Sequence, residues 1–302
     1  MRGDCPNEPE WQAKSRGIVL PRIICLEKWA DDAFGIAFRG SWRTIAAQMK
    51  RILSFFTLLL LAAFLRAEDT RCYELRIYTA NEGKLAALEA RFKDHTCKLF
   101  EKHGLTNVGY WVPVDKSDNR LIYVISSSNR AAHKKSWQAF LNDPDWKQAY
   151  KASTKEGALV AKIDSTFMSA TDYSPTVESV ITKGIRVFEL RTYTTAPGRL
   201  KNLHARFRDH TCKIFENHGM KNVAYWTPMD DNKGKSNTLI YIISHYVKPA
   251  LSGTAQAKKN WKGFGGDPAW QKARATSEAD GKILAKRPAR LYLNATDFSP
   301  IK

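Results

Sequence analysis

The chain has 302 residues, 43% of them hydrophobic, and carries a formal charge of +18. That length allows roughly two domains of about 150 residues each, and the apolar share fits a soluble protein that buries a sizeable core. After residue 67, 38 Lys/Arg against 24 Asp/Glu leave +14, an excess that favours acidic partners or surfaces without identifying nucleic acid.

Residues 49–67 have the build of an export signal. Lys50 and Arg51 form a basic start, Ile52 to Leu65 an apolar run, and Ala67 is the candidate cleavage residue. The run is fourteen residues long, short of the roughly 20 that a membrane-spanning helix needs. Met49 is therefore read as the start, with residues 1–48 an upstream extension; an uncleaved signal anchor is the alternative. The expected mature protein is exported, periplasmic or extracellular, with no stable membrane span. It would keep only Cys72, Cys97 and Cys212. An odd number gives no disulfide framework, so free thiols are expected; pairing of Cys97 with Cys212 across a pseudo-two-fold axis is the other reading.

The first strand follows. Tyr73, Leu75 and Ile77 alternate with Glu74, Arg76 and Tyr78, a period-two pattern. From Lys84 to His103, Leu85, Leu88, Phe92 and Leu99 follow the helical period, and Gly104 is placed to end the helix. Strands are predicted at Asn107–Val112 and Leu121–Ser126. A helical stretch runs from Arg130 to about Lys155, interrupted at Asn142-Asp-Pro144. A short strand at Thr166–Asp172 closes at Tyr173-Ser-Pro175. The order is β-α-β-β-α-β, the ferredoxin-like unit.

The chain then repeats itself. Of the 40 positions from Glu74, 25 are identical to those from Glu189, without a gap. A polar linker at 176–185 separates a first domain, 68–175, from a second, 186–302. The second carries an insertion around Lys248–Gln256. A four-stranded ferredoxin-like sheet has one face covered by its own helices, and the other must find a partner. Two copies in one polypeptide supply it to each other. The predicted fold is α+β: two tandem repeats closing an intramolecular, pseudo-dimeric α/β barrel, as a monomer or a higher homo-oligomer.

The Tyr-Glu-Leu-Arg-Ile-Tyr opening, the His-Thr-Cys helix, the Asn-Val-Gly-Tyr-Trp strand and the Asp-Pro-Asp-Trp box together resemble the NIPSNAP family. The resemblance covers 72–175 and 186–302 and implies the dimeric α/β-barrel superfamily. Animal members are linked to mitochondria, mitophagy signalling and vesicle traffic; an export signal in place of a transit peptide sets this chain apart. The family brings no established catalytic residues. Monooxygenases and haem-handling enzymes share the superfamily, which is an analogy of fold.

Several residues are candidates for chemistry. Glu74, Arg76 and Tyr78 share one strand face, as do Glu189, Arg191 and Tyr193. If that face lines the barrel, the arginines offer a bidentate donor to an anion or carbonyl; the alternative is an internal ion pair that fixes sheet register. His95 and His210 fall on the shoulder of the apolar helix stripe and are expected to face the sheet. There they would be a general base or haem ligand, or simply buried structural histidines. His103 and His218 lie two turns further on, too far for a compact zinc site, so no metal is expected. Trp111 and Trp226 alternate with Tyr110 and Tyr225, so one of each pair can line a pocket for a small apolar ligand. The other reading is core packing. No nucleotide-binding glycine loop, hydrolase serine elbow or EF-hand is present. The Lys/Arg residues are spread over helix surfaces without a nucleic-acid recognition motif.

These features point first to binding of a small apolar or anionic molecule, or of a protein partner, with no cofactor. The alternative is an oxidoreductase of monooxygenase or haem-handling type, using the helix histidines and an aromatic pocket.

Overall fold

In the computed structural model, residues 69–177, 184–248 and 250–302 are described; the expected signal segment and upstream extension lie outside them, as does most of the linker. The first copy comprises β1 (Cys72–Ala80), α1 (Leu85–Arg91), a π-helical turn (Phe92–Thr96), α2 (Cys97–Lys102), β2 (Thr106–Pro113), β3 (Arg120–Ser127), α3 (Arg130–Asn142), α4 (Pro144–Ser153) and β4 (Val160–Ala170). The second comprises β5 (Arg186–Thr194), α5 (Leu200–Arg206), a π turn (Phe207–Thr211), α6 (Cys212–Asn217), β6 (Met220–Pro228), β7 (Thr238–Tyr246), α7 (Gly253–Gly266), α8 (Pro268–Ser277) and β8 (Ala289–Ala295).

The eight strands form one closed antiparallel barrel in the order β1-β3-β2-β8-β5-β7-β6-β4. Each copy contributes four neighbouring strands, and the copies meet edge to edge at two seams. At one, Trp111, Val112 and Pro113 pair with Ala295, Asn294 and Leu293; at the other, Met168, Ser169 and Ala170 pair with Pro228, Thr227 and Trp226. Closure removes the exposed strand edges that would otherwise invite aggregation. β4 starts at Val160, well before the expected Thr166, because it pairs with β1 along its whole length.

The barrel interior is apolar and shared. Tyr73, Leu75, Trp111, Ile122, Val124, Phe188, Leu190, Trp226 and Ile242 belong to one buried cluster drawn from both copies. Tyr73 meets Trp226 at 5.7 Å between ring centroids, and Trp111 meets Phe188 at 5.8 Å. Both contacts cross between copies. Two apolar sheet faces thus exclude water by filling each other, the favourable term that holds the halves together.

That choice sends Glu74, Arg76 and Tyr78 the other way. Because Tyr73 and Leu75 point into the barrel, the alternating polar face lies beneath the helices and does not line the interior. The same holds for Glu189, Arg191 and Tyr193.

The long helix of each copy carries an unexpected feature. At Phe92–Thr96 it widens by one residue, with the Cys97 N–H donating to Phe92 O and the Thr96 hydroxyl donating to Arg91 O at 3.2 Å. Phe207–Thr211 repeats this, Thr211 donating to Arg206 O at 3.0 Å. Such a widened turn shifts the helix phase. The buried stripe becomes Leu88, Arg91, Phe92, Thr96, Leu99 and Phe100. His95 and His210 are consequently exposed and do not face the sheet. Gly104 ends the helix at φ 79°, in the left-handed region, as the sequence predicted.

Asp143 ends one helix and starts the next. Its carboxylate accepts from the Asp145 N–H at 2.8 Å as the cap of α4, and also meets His103 Nε2 at 2.6 Å and Lys102 Nζ at 2.8 Å. Asp267 caps α8 and meets His218 Nε2 at 2.7 Å in the same way. The Asp-Pro box therefore ties each second helix pair to the end of the first helix.

The closing segments are exchanged between copies. The Ser299 hydroxyl accepts from Tyr110 N at 2.9 Å, and Phe298 packs on Tyr110. Reciprocally, Ser174 Oγ accepts from Tyr225 N at 3.0 Å and Tyr173 packs on Tyr225.

Candidate ligand-binding site

Between sheet and helices, each copy buries a glutamate with an arginine and a histidine. Glu74 Oε1 is 2.6 Å from Arg76 and also accepts from the Ser165 hydroxyl, while Oε2 lies 2.9 Å from His133 Nε2. Glu189 Oε1 is 2.6 Å from Arg191, and its Oε2 accepts from Trp261 Nε1 at 2.6 Å and lies 3.0 Å from His245 Nε2. Burial alone would raise both carboxyls; the histidine and arginine contacts, with Ser165 or Trp261, hold them below the ordinary glutamate value. Each glutamate is thus a buried carboxylate that fixes the arginine beside it. Arg76 donates to the Tyr78 hydroxyl at 3.2 Å and stacks 4.3 Å from the Trp137 ring; Arg191 does the same with Tyr193 and Trp261, at 3.3 Å and 4.2 Å.

His133 and His245 were not among the sequence candidates. His133 sits in the first turns of α3, and His245 near the end of β7. Because the two positions do not correspond in the repeats, comparing the copies hides the pair.

In the first copy Arg76 and Tyr78 of this cluster form the floor of a cavity of about 510 Å³. The walls are Tyr78, Phe92, Phe100, Trp137, Phe140 and Trp146, under α3 and α4, with Val160 to Ile163 of β4 along one side. The rim is also apolar: Leu141, Tyr150 and Ile163 line the cavity, yet are 43%, 50% and 49% exposed. Arg76, Arg91 and Lys162 supply the cations. The volume falls in the usual range for small-molecule pockets, and the lining is mainly apolar.

Of the sequence candidates, Arg76 and Tyr78 line this cavity, and Glu74 stands behind them. Glu189, Arg191 and Tyr193 build the equivalent cluster of the second copy. Trp111 and Trp226 are fully buried in the barrel interior, remote in role from the helix-side cavity. His95 and His210 do not line it. Cys72, Cys97 and Cys212 are free, and burial pushes the Cys97 and Cys212 thiols up to about 11 and about 12, which keeps them protonated and unreactive. Among the described residues no cluster of three or more His, Cys, Asp or Glu could hold a metal ion, and no helix is long and apolar enough to cross a membrane.

A family model described as NIPSNAP matches residues 73–175 and, separately, 188–300. The chain belongs to the NIPSNAP family. It carries two NIPSNAP units, one per repeat. No curated protein matches it significantly. Among solved structures, an anthrone oxidase-like protein is similar over 76% of this chain and 93% of its own, at 12% identity and a TM-score of 0.50. A putative monooxygenase from Lactobacillus acidophilus NCFM is similar over 75% of this chain and 94% of its own, at 12% identity and a TM-score of 0.49. A NIPSNAP family protein of unknown function from Agrobacterium tumefaciens str. C58 matches 35% of this chain with 94% of its own, at 19% identity and a TM-score of 0.32. The first of these likenesses shows the shared fold.

Proposed function

We propose that this NIPSNAP chain binds a small organic molecule with an aromatic or aliphatic body, in the cavity beneath α3 and α4. The observation that carries the reading is the cavity of about 510 Å³, lined by aromatic rings together with Arg76 and Tyr78, which Glu74 backs from behind. Its arginine is held in place before any ligand arrives, since Glu74 and Trp137 fix it from two sides. Preorganisation of that kind lowers the entropic cost of binding. The reading requires no cofactor.

Oxidase and monooxygenase names among the solved structures carry no activity to this chain. An oxidoreductase reading would need a reacting group at the cavity, and the helix histidines that suggested it do not line it. Export is part of the proposal and rests on the basic start and apolar run at 49–67; N-terminal sequencing of the native protein beginning near residue 68 would support it, and peptides from residues 1–48 would sink it.

Native mass spectrometry of the purified full chain, with an absorbance scan, tests the binding itself. A small organic mass released on denaturation, and lost in Ala161→Trp, which places an indole on the cavity wall, is the expected result. A Soret band, or a co-purifying molecule unaffected by Ala161→Trp, would overturn the reading.

A further inference from the structure

The two copies handle their second helix-layer arginine differently. Arg91 in the first and Arg206 in the second are both buried, at 5% and 4% exposure. Arg91 donates to Ser153 Oγ at 3.3 Å and stacks 5.3 Å from Trp146; Arg206 donates to Ser277 Oγ at 3.2 Å and stacks 5.2 Å from Trp270. Up to this point the copies match. Arg206 then meets the Glu278 carboxylate at 3.1 Å. Aligning Pro144 with Pro268 puts Thr154 where Glu278 stands, and the Thr154 hydroxyl turns back to donate to Tyr150 O at 2.8 Å. Among the described residues, Arg91 has no carboxylate partner.

Three cations line the first copy's cavity. Arg76 is paired with Glu74 at 2.6 Å and Lys162 with Asp164 at 2.8 Å. Arg91 is the third, nineteen-twentieths buried, and carries the charge left uncompensated. The Nε atoms of Arg76, Arg91, Arg191 and Arg206 are all without partners, a common feature of these stacked guanidiniums that does not set Arg91 apart. The missing carboxylate does. A buried guanidinium without a counter-ion is costly, and an anion brought by a ligand relieves that cost while gaining charge-assisted, potentially two-pronged hydrogen bonds.

We infer that the first copy's cavity selects monoanionic ligands, an aromatic or apolar body carrying one carboxylate or sulfonate, with Arg91 as the anion's partner, and that Glu278 supplies that anion internally in the second copy. This rests on the cavity being the binding site, as proposed above, and names the class of ligand it takes.

The test uses two probes of one carbon skeleton: 1-anilinonaphthalene-8-sulfonate, a monoanion, and N-phenyl-1-naphthylamine, which lacks the sulfonate. Fluorescence titration of the full chain is expected to show the sulfonate bound about tenfold or more tighter than the neutral amine. Arg91→Met should erase that preference, bringing sulfonate affinity down to that of the amine in the same variant. Thr154→Glu, which installs the second copy's arrangement at a helix end, should do the same without disturbing the buried arginine. Ala131→Glu, the same charge on an exposed part of α3, should leave the preference intact. No sulfonate preference in the wild type, or a preference that survives Thr154→Glu, overturns the inference, as does its loss in Ala131→Glu. Ala161→Trp separates the two claims. If it blocks the amine while the sulfonate shows no preference, the anion assignment alone falls; if it leaves amine binding untouched, the cavity reading falls and takes this inference with it.

Discussion

His133 and His245 occupy non-equivalent places in the two repeats, a helix turn and a strand end, yet each sets Nε2 against the glutamate of its own copy, at 2.9 Å and 3.0 Å. Aligning Trp137 with Trp261 puts Ala257 opposite His133; aligning Tyr123 with Tyr241 puts Ser127 opposite His245. Each copy therefore reaches the same arrangement by a different residue. The shared feature is an imidazole beside the second carboxylate oxygen, a polar neighbour that offsets part of the cost of burying the glutamate.

Removing that carboxylate should be expensive. Glu74→Ala strands Arg76 and leaves His133 without its partner, and a loss of about 3 kcal/mol in unfolding free energy is expected from breaking a buried pair on one side. Glu74→Gln keeps a hydrogen-bonding oxygen and should cost less. Urea unfolding of the two variants against wild type checks the order, and equal losses would rule out the ionic account.

Acid should find the same weakness. Both glutamates bind protons less readily in the folded chain than at the ordinary value of 4.5. Below that value the unfolded chain takes up more protons than the folded one, so stability from these groups is complete above it and declines as pH falls. Urea midpoints measured from pH 7 down to pH 3 are expected to drop on the acid side. In Glu74→Gln/Glu189→Gln the slope should flatten, and an unchanged slope would assign the acid sensitivity elsewhere.

Gly109 has a packing role that its twin position lacks. A Cβ there would collide with the ring edge of Trp111, an indole fully buried in the barrel. Gly109→Ala is expected to destabilise by about 2 kcal/mol through overpacking. The second copy already carries Ala224 at the matching place, and Ala224→Gly should cost less than about 1 kcal/mol. Thermal melts of the pair read the asymmetry directly.

Exposure of the paired helix histidines makes a flat result the expected one. His95→Ala/His210→Ala should change stability by no more than about 0.5 kcal/mol per site, and should leave titration of the neutral naphthylamine unchanged. A large loss of binding would restore them as functional residues.

Much of the architecture was legible because it is written twice. Period-two runs at Tyr73–Tyr78 and their copies, the helix-ending Gly104, and the Asp-Pro breaks gave the order of elements, and one uncovered sheet face per repeat gave the barrel. The π turns were not legible. An apolar stripe read at 3.6 residues per turn looks the same until one residue is added, and only the Thr96 hydroxyl bonding five residues back marks the change. That single added residue moved His95 from the sheet side to solvent. Nor could alternation alone say which face of β1 enters the barrel. The signal was present in composition: Tyr73, Leu75 and Ile77 can fill a water-free interior shared with another copy, whereas Glu74 and Arg76 need polar partners that only the helix layer supplies. The cavity was legible only in its floor, since its walls come from the first helix, α3, α4 and β4, brought together by tertiary packing.

The exchanged closing segments set an order in time. Ser174 reaches Tyr225 across 51 positions of sequence, so what completes the second repeat already exists when that repeat is made. Ser299 reaches Tyr110 across 189 positions. During synthesis the first repeat must therefore wait, its tyrosine uncapped and one barrel seam open, until almost the whole second repeat has emerged. What is translated first is finished last.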